Sequence, residues 1–472
     1  MRAGLLAALL ALAGCTVGPD YGRPPAPAAA SFKELDGWKP ATPGMPQSGE
    51  PWWAIYDDPL LSSLEQQVVV ANQTLKADEA AFRQASALVD EARAGYYPTA
   101  AASAAASRSA APSQGGTFVR GGGGTSYQNA FSTGPAAAWV PDIWGRIHRT
   151  VESSAANAQA SAADLAAARL SAQATLAIDY FDLRITDEQK RVLEDQVEAD
   201  KRTLQITQNQ YQAGVAAQTD VATAETQLET VQAQLIGLGV QRATFEHAIA
   251  ILIGKPPADF SVTRIAYKTA VPVMPPGVPS ALLERRPDIA AAERAMASAN
   301  AQIGVAEAAY FPDFTLSASA TFASGMIGNV LSLANAGWTV GAAASETLFD
   351  GGLRSAQVAA ARAAYDQSVA TYRGTVLTAF QQVEDDLASL RILEQEAAAE
   401  DIAVKSSQSA VQLTLNQYQA GTVAYTAVVV AQTTALADEQ TALNILEARL
   451  VASANLIEAL GGGWDATQLP AL

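Results

Sequence analysis

The chain carries one pattern twice, and no other feature of it constrains the fold as much. Asn-Gln-Tyr-Gln-Ala-Gly occupies Asn209–Gly214 and again Asn416–Gly421, a spacing of 416 − 209 = 207. Thr207, Thr219 and Val221 are matched at that spacing by Thr414, Thr426 and Val428. Further upstream, Glu91-Ala92-Arg93-Ala94-Gly95-Tyr96-Tyr97-Pro98 answers Val305-Ala306-Glu307-Ala308-Ala309-Tyr310-Phe311-Pro312 at 312 − 98 = 214, a spacing shared by Glu79 and Glu293. A duplicated chain is confined to folds made of two like units. The difference of 214 − 207 = 7 residues falls after Pro98, where the first copy has Gly115, Gly116 and Gly121–Gly124, so it reads as a longer loop. Those glycines lack the Lys and Ser/Thr of a phosphate-binding loop. A linker rich in proline (Pro256, Pro257, Pro272, Pro275, Pro276, Pro279) separates the copies.

Each unit reads helix, strand, strand, long helix, turn, helix. The expected partition is a signal peptide at 1–14, a strap at 15–60, a first repeat at 61–254, a linker at 255–280, a second repeat at 281–461 and a tail at 462–472. Strands are expected at about 99–109, 126–139, 314–323 and 337–348. They rest on period two: Phe314, Leu316, Ala318, Ala320 and Phe322 alternate with Thr315, Ser317, Ser319 and Thr321. One greasy and one polar face over such a length suits a transmembrane β-barrel, although a half-buried sheet in a soluble domain has the same pattern. Two repeats supply only four strands, whereas barrels start at about eight. An open sheet in lipid would leave backbone groups unpaired, so strands in a membrane imply several chains sharing one barrel.

The long helices carry two apolar seams each. From Leu176 to Ala213 one seam is Leu176, Leu183, Lys190, Val197, Leu204 and Tyr211, and the other is Ile178, Ile185, Val192, Ala199, Ile206 and Ala213. Seams two heptad positions apart lie on nearly opposite sides of a helix, as in a stave of a hollow wall. A coiled-coil hairpin packed on another body is the alternative. The narrower of the two polar arcs holds Asp179, Asp182 and Asp200 in the first copy and Asp386, Glu396 and Glu400 in the second, with no Lys or Arg. A closed tube has less room on its concave side, so these six acids are expected to face a water-filled lumen.

Composition narrows the chemistry. With 30 Lys+Arg against 47 Asp+Glu, the formal charge of −17 argues against nucleic acid as a partner. One cysteine and two histidines, His148 and His247, leave no disulfide and no thiolate or His-rich metal site, so no metal or other cofactor is expected. No nucleophile–base pair stands out, and the chain reads as a non-enzyme. The N-terminus has Arg2, then an apolar run too short for a permanent span. It ends Leu12-Ala13-Gly14-Cys15, which resembles a bacterial lipobox, a resemblance that implies a covalent lipid on Cys15. A plain secretory signal is the alternative.

Further motifs are Tyr21-Gly22-Arg23-Pro24-Pro25, Trp52-Trp53 with Asp58-Pro59-Leu60, and Leu282-Leu283-Glu284-Arg285-Arg286-Pro287-Asp288-Ile289. Tyr310-Phe311-Pro312 and Leu348-Phe349-Asp350-Gly351-Gly352 follow. In this order and spacing they make the sequence similar to the outer-membrane efflux proteins, the TolC-like exit ducts, in their lipoprotein branch. The resemblance implies a mainly α fold with a small transmembrane β part, closed as a homotrimer into a twelve-stranded β-barrel on a periplasmic α-barrel. It implies an outer-membrane protein, lipid-anchored and extending into the periplasm, that passively conducts small molecules for a tripartite pump. Its partners would be a periplasmic membrane-fusion adaptor and an inner-membrane resistance-nodulation-division pump. Tyr211, Gly214, Asp220, Tyr418 and Gly421 would then form the tips that meet the adaptor. Ducts for type I protein secretion, or a coiled-coil lipoprotein without a pore, are the alternative functions.

Overall fold

The computed structural model describes residues 16–27, 31–34, 51–112, 125–267, 269–272 and 284–472. The signal segment, Cys15 and the glycines at 115–116 and 121–124 lie outside the described residues, as does most of the strap beyond residue 34. The principal elements are α1 (Pro59–Ala71), α2 (Gln73–Ala94), β1 (Thr99–Pro112), β2 (Thr125–Trp139), α3 (Arg146–Gln212), α4 (Gln218–Leu252), α5 (Pro287–Ala308), β3 (Asp313–Ser324), β4 (Ala336–Ser345), α6 (Leu353–Gln419) and α7 (Tyr425–Ala459).

The duplication is visible in the element bounds. α3 and α6 each have 67 residues and are offset by 353 − 146 = 207. α4 and α7 have 35 each and share that offset, while α2 and α5 have 22 each at 287 − 73 = 214. A helix of 67 residues is ~100 Å long. It is long enough to lie beside a shorter helix near the sheet and a second one beyond it. Near the sheet the wall runs α2–α3–α5–α6, and farther away it runs α4–α3–α7–α6.

The four strands form one antiparallel sheet in the order β1-β2-β3-β4, continuing the helical wall stave by stave. Cross-strand pairing keeps like with like. Leu316, Ala318 and Ala320 sit opposite Ala342, Val340 and Trp338, while Ser317 and Ser319 sit opposite Gly341 and Thr339. The ladder between β2 and β3 skips Gly134 and Pro135. Pro135 has no N–H to give, and a Cβ on Gly134 would lie 1.8 Å from the Ala320 carbonyl oxygen. β4 ends three residues before the expected 348. The Leu348–Gly352 motif is instead a turn into α6. There Asp350 accepts from the Gly352 N–H and from the Arg354 guanidinium, and Gly352 takes φ 96°.

The core lies mid-wall. Trp52, Trp53 and Tyr56 pack with Leu61, Leu64 and Val68 of α1 against Tyr180, Phe181 and Leu183 of α3 and Leu450 and Leu456 of α7. Asp58 caps α1 through the N–H groups of Leu60 and Leu61 and accepts from the Tyr180 hydroxyl at 2.6 Å. This gives the Trp-Trp…Asp-Pro-Leu motif a structural reason. Pro287 opens α5, and Arg286 bridges Asp288 and the Ala459 carbonyl. The first residues of the strap run along the wall: the Val17 N–H donates to Trp144, Tyr21 to Glu293 and Arg23 to Tyr372. Gly18 crosses Gly304 so closely that a Cβ on Gly18 would lie 2.4 Å from the Gly304 Cα.

Candidate functional site

Two places combine exposure, polarity and a break in the regular wall: the hairpin tips, and the seam where the hairpin α3–α4 meets the hairpin α6–α7. At the tips, Gly214 and Gly421 both take φ 74°. Nothing lies within 4 Å of a Cβ built on either, so glycine is there for the left-handed backbone and not for space. The Asp220 carboxylate accepts from the Ala217 N–H at 3.2 Å, which makes it the cap of α4.

The paired tyrosines have different fates. Tyr211 is 45% exposed at the tip surface. Tyr418 is 7% exposed, turned into the chain and not onto the tip surface. Its hydroxyl donates to Gln210 Oε1 at 2.6 Å and lies 3.3 Å from the Thr207 hydroxyl, and its ring packs on Tyr425 with centroids 5.4 Å apart. Tyr418 is a lock between the two hairpins of one chain.

The seam changes the reading of the acids. Asp200 is 1% exposed, and the face of α3 that carries it also buries Leu193, Val197, Thr203 and Thr207. Gln196 donates to one of its carboxylate oxygens at 2.7 Å, while the other has no partner, and burial pushes the group up to about 6. Gln189 donates to Asn444 of α7 at 2.8 Å. Asp182 is hydrogen-bonded to Glu447 of α7, and burial pushes Asp182 up to about 6 and Glu447 up to about 7. Asp179 is half-buried beside Asp182 and is likewise raised to about 6, by burial and then by that charge.

Asp200 therefore faces the seam, whereas Asp182 and Asp179 are half-buried at its margin. The narrow arc of α3 is the face on which the second hairpin rests, and a surface that receives another helix excludes Lys and Arg as readily as a concave wall does. On α6, Asp386 is half-buried, and burial with the charges of Asp385 and Glu458 raises it to about 7. Glu396 is exposed and Glu400 half-exposed on the free side of α6.

Tyr425, Asn444 and Glu447 belong to none of the motifs or arcs read from the sequence. A signal was available, because the copies diverge there. Tyr425 and Glu447 stand where the first repeat has Gln218 and Val240.

The end of the sheet that joins the helices is ringed by aromatic side chains. Trp144 stacks on Phe311 at 4.8 Å, Trp139 donates to the Tyr96 carbonyl at 3.0 Å, and Tyr97 and Phe349 are 71% and 89% exposed. Such a girdle beside an alternating sheet marks a membrane interface in β-barrels. The sequence profile of the outer membrane efflux protein family matches residues 64–255 and 278–462. The chain belongs to that family.

It is 31% identical over 98% of its length to the pyoverdine export outer membrane protein OpmQ of Pseudomonas aeruginosa, covering 96% of that protein. It is 28% identical over 97% of its length to the cation efflux system protein CusC of Escherichia coli O6:H1, again covering 97% of the relative. The fold matches the outer-membrane channel OprN with a TM-score of 0.86 and 30% identity, over 95% of this chain and all of that one. The chain is thus an outer-membrane efflux duct, akin to channels and not to enzymes.

Proposed function

We propose that three copies close side by side into one conduit, with four strands each forming a twelve-stranded barrel in the outer membrane and the staves continuing it into the periplasm. One observation carries this reading. β3 and β4 pair an apolar face in register, and the four strands form one sheet, yet β1 and β4 have no partner on their outer edges among the described residues. Unpaired edges are untenable in lipid, and a second copy of the same sheet is the nearest complement.

The conduit is passive. Cargo arrives from an inner-membrane pump of the resistance-nodulation-division type through a periplasmic adaptor that meets the exposed tips at Tyr211, Gly214 and Gly421. OpmQ and CusC are named for unlike cargoes, a pyoverdine and cations, which fits a duct that leaves selection to its pump. Cys15 carries the lipid that holds the strap at the membrane.

Native mass measurement joined to planar-bilayer recording tests the reading. Trimers with ion conductance are expected. Monomers or trimers without conductance would leave a coiled-coil scaffold. Loss of lipid labelling in Cys15→Ala is expected, and labelling that persists removes the lipid assignment.

A further inference from the structure

The registers sort the sheet's side chains onto two unlike faces. Neighbouring residues of a strand alternate between faces, and directly paired residues share one. Tyr127, Phe131, Trp139, Phe314, Phe322 and Trp338, all the aromatic residues of the four strands, therefore fall on the face of Leu316, Ala318 and Ala320. The opposite face is Ser, Thr, Ala and Gly, with Gln128 and, at the helix end, Asp313. The aromatic face is the one that meets lipid in the barrel.

Arg108 of β1 breaks this pattern. It is paired with Asn129, two positions along β2 from both Tyr127 and Phe131, and so lies on the aromatic face. It is the one Lys or Arg within the four strands. Asp313, the other charge, is 3.7 Å from Arg146 at the helix end. Residues 99–139 and 314–345 contain no Asp or Glu, in a chain whose formal charge is −17. Arg108 is exposed, and its guanidinium carbon stands 5.0 Å from the centroid of the Tyr127 ring.

Its height on the barrel decides what it can meet. Thr99 stands beside the aromatic girdle at the helix end, opposite Ala138. Arg108 is 108 − 99 = 9 residues farther along, which at about 3.3 Å per residue is ~30 Å of strand. A tilt of about 40° reduces that to ~23 Å of height, close to the ~25 Å apolar band of such barrels. Arg108 thus reaches the outer boundary of the hydrocarbon, where a lipid-facing cation is tolerated, and not the midplane, where it is costly. Below it on the same face of β1 lie Ala106, Ala104, Ala102 and Ala100, whose small side chains leave a shallow lane beside Phe131.

We propose that Arg108, seated on Tyr127, holds a phosphate of an anionic lipid of the outer leaflet, with an acyl chain lying along the alanine lane. The inference rests on the barrel reading above and adds a lipid site to its outer surface. A planar guanidinium matches a phosphate with two parallel N–H bonds. Stacking on an aromatic ring covers one face of that plane and leaves its edge free. An apolar strip directly below the cation fits a headgroup that brings its own hydrocarbon, whereas a free phosphate would leave the strip bare.

The test is native mass measurement of trimers taken from phosphatidylcholine vesicles doped with lipid A, a phosphorylated glycolipid. Bound lipid A is expected to fall roughly tenfold or more in Arg108→Gln, and less in Arg108→Lys, which keeps the charge without the fork. Tyr127→Phe keeps the ring and should bind as wild type does, whereas Tyr127→Ala should lose several-fold. Lipid A stripped of its phosphates should be held by the wild type as poorly as intact lipid A is by Arg108→Gln. Arg108→Gln with Ser109→Arg moves the cation to the opposite face and should restore nothing. Trimer mass and conductance should match the wild type throughout. Equal retention by wild type and Arg108→Gln, retention that ignores the phosphates, or restoration by Ser109→Arg overturns the site. Displacement of lipid A by millimolar inorganic phosphate overturns the lipid as its occupant. A wild type that yields no trimers overturns the barrel reading and the site with it, a different failure from intact trimers that ignore the phosphates.

Discussion

Asp200→Asn isolates the electrostatics of the seam. Burial raises the carboxyl from 3.8 to about 6, with only the Gln196 hydrogen bond opposing it. The folded chain therefore binds this proton more tightly than the unfolded one. The stability contribution is intact below pH ~4 and is lost as pH rises through ~6. At 1.36 kcal/mol per pK unit, a shift of two units is a penalty of ~3 kcal/mol at pH 8, which is a ceiling. Asparagine keeps the acceptor for Gln196 and removes the charge. It also adds an amide N–H that finds no partner, at a cost of about 1 kcal/mol. The net gain at pH 8 is then ~1–2 kcal/mol. Hydrogen exchange of the amides of α3 around Thr203 and of α7 around Val428 reads it locally. After correction for intrinsic rates, the variant should exchange roughly 5–30 times more slowly at pH 8 and at the wild-type rate or faster at pH 4. Slower exchange by the same factor at both pH values, or faster exchange at pH 8, would refute the argument that a buried charge strains this seam.

Tyr418→Phe leaves Gln210 without its donor and should cost ~0.5–1.5 kcal/mol, read as faster exchange at both tips and an unchanged sheet. Gly421→Ala forces a Cβ into the left-handed region at ~1–2 kcal/mol, with Gly421→Asn recovering much of it, as thermal melting in detergent would report. Ala318→Arg should lower the amount of duct in the outer membrane, since a lipid-facing Arg near the midplane costs ~2–4 kcal/mol, whereas Ser319→Arg on the opposite face should assemble normally. Asp187→Ala removes a fully buried carboxylate 2.8 Å from Arg242 and 3.9 Å from Arg184; both cations keep other acceptors, in Glu246 and the Thr263 carbonyl, so the loss should be ~1.5–3 kcal/mol in unfolding measurements.

The strands were readable because period two is a local signal. Whichever partners they take, Leu316 and Ser317 must point to opposite faces, and the observed register pairs each with its like. The tip glycines were readable for the same reason, since a helix reversal of a few residues needs a left-handed residue wherever the hairpin sits. The end of β4 was not. Thr347 and Leu348 continue the apolar alternation, but Asp350 captures Arg354 and the Gly352 N–H, and that capped turn overrides it. The cap is spelled in Asp350-Gly351-Gly352.

The helix faces failed for a deeper reason. A polar arc without cations is compatible with a lumen, with a subunit contact and with a contact inside the chain, and one helix viewed alone cannot separate them. Asp200 and Glu400 lie in the same sequence arc, yet one is 1% exposed against the second hairpin and the other lies on the free side of α6. What separates them is their company in the other repeat. Around Asp200 the partner helix brings Tyr425 and Leu436, where the matching helix of the first copy has Gln218 and Glu229. Two copies of one helix pair that form equivalent contacts have no packing reason to diverge in this way. Where one copy keeps aliphatics and a tyrosine while the other takes carboxylates, the two positions are not in equivalent surroundings: the apolar version is a joint closed on folding, and the acidic version is a face left toward water.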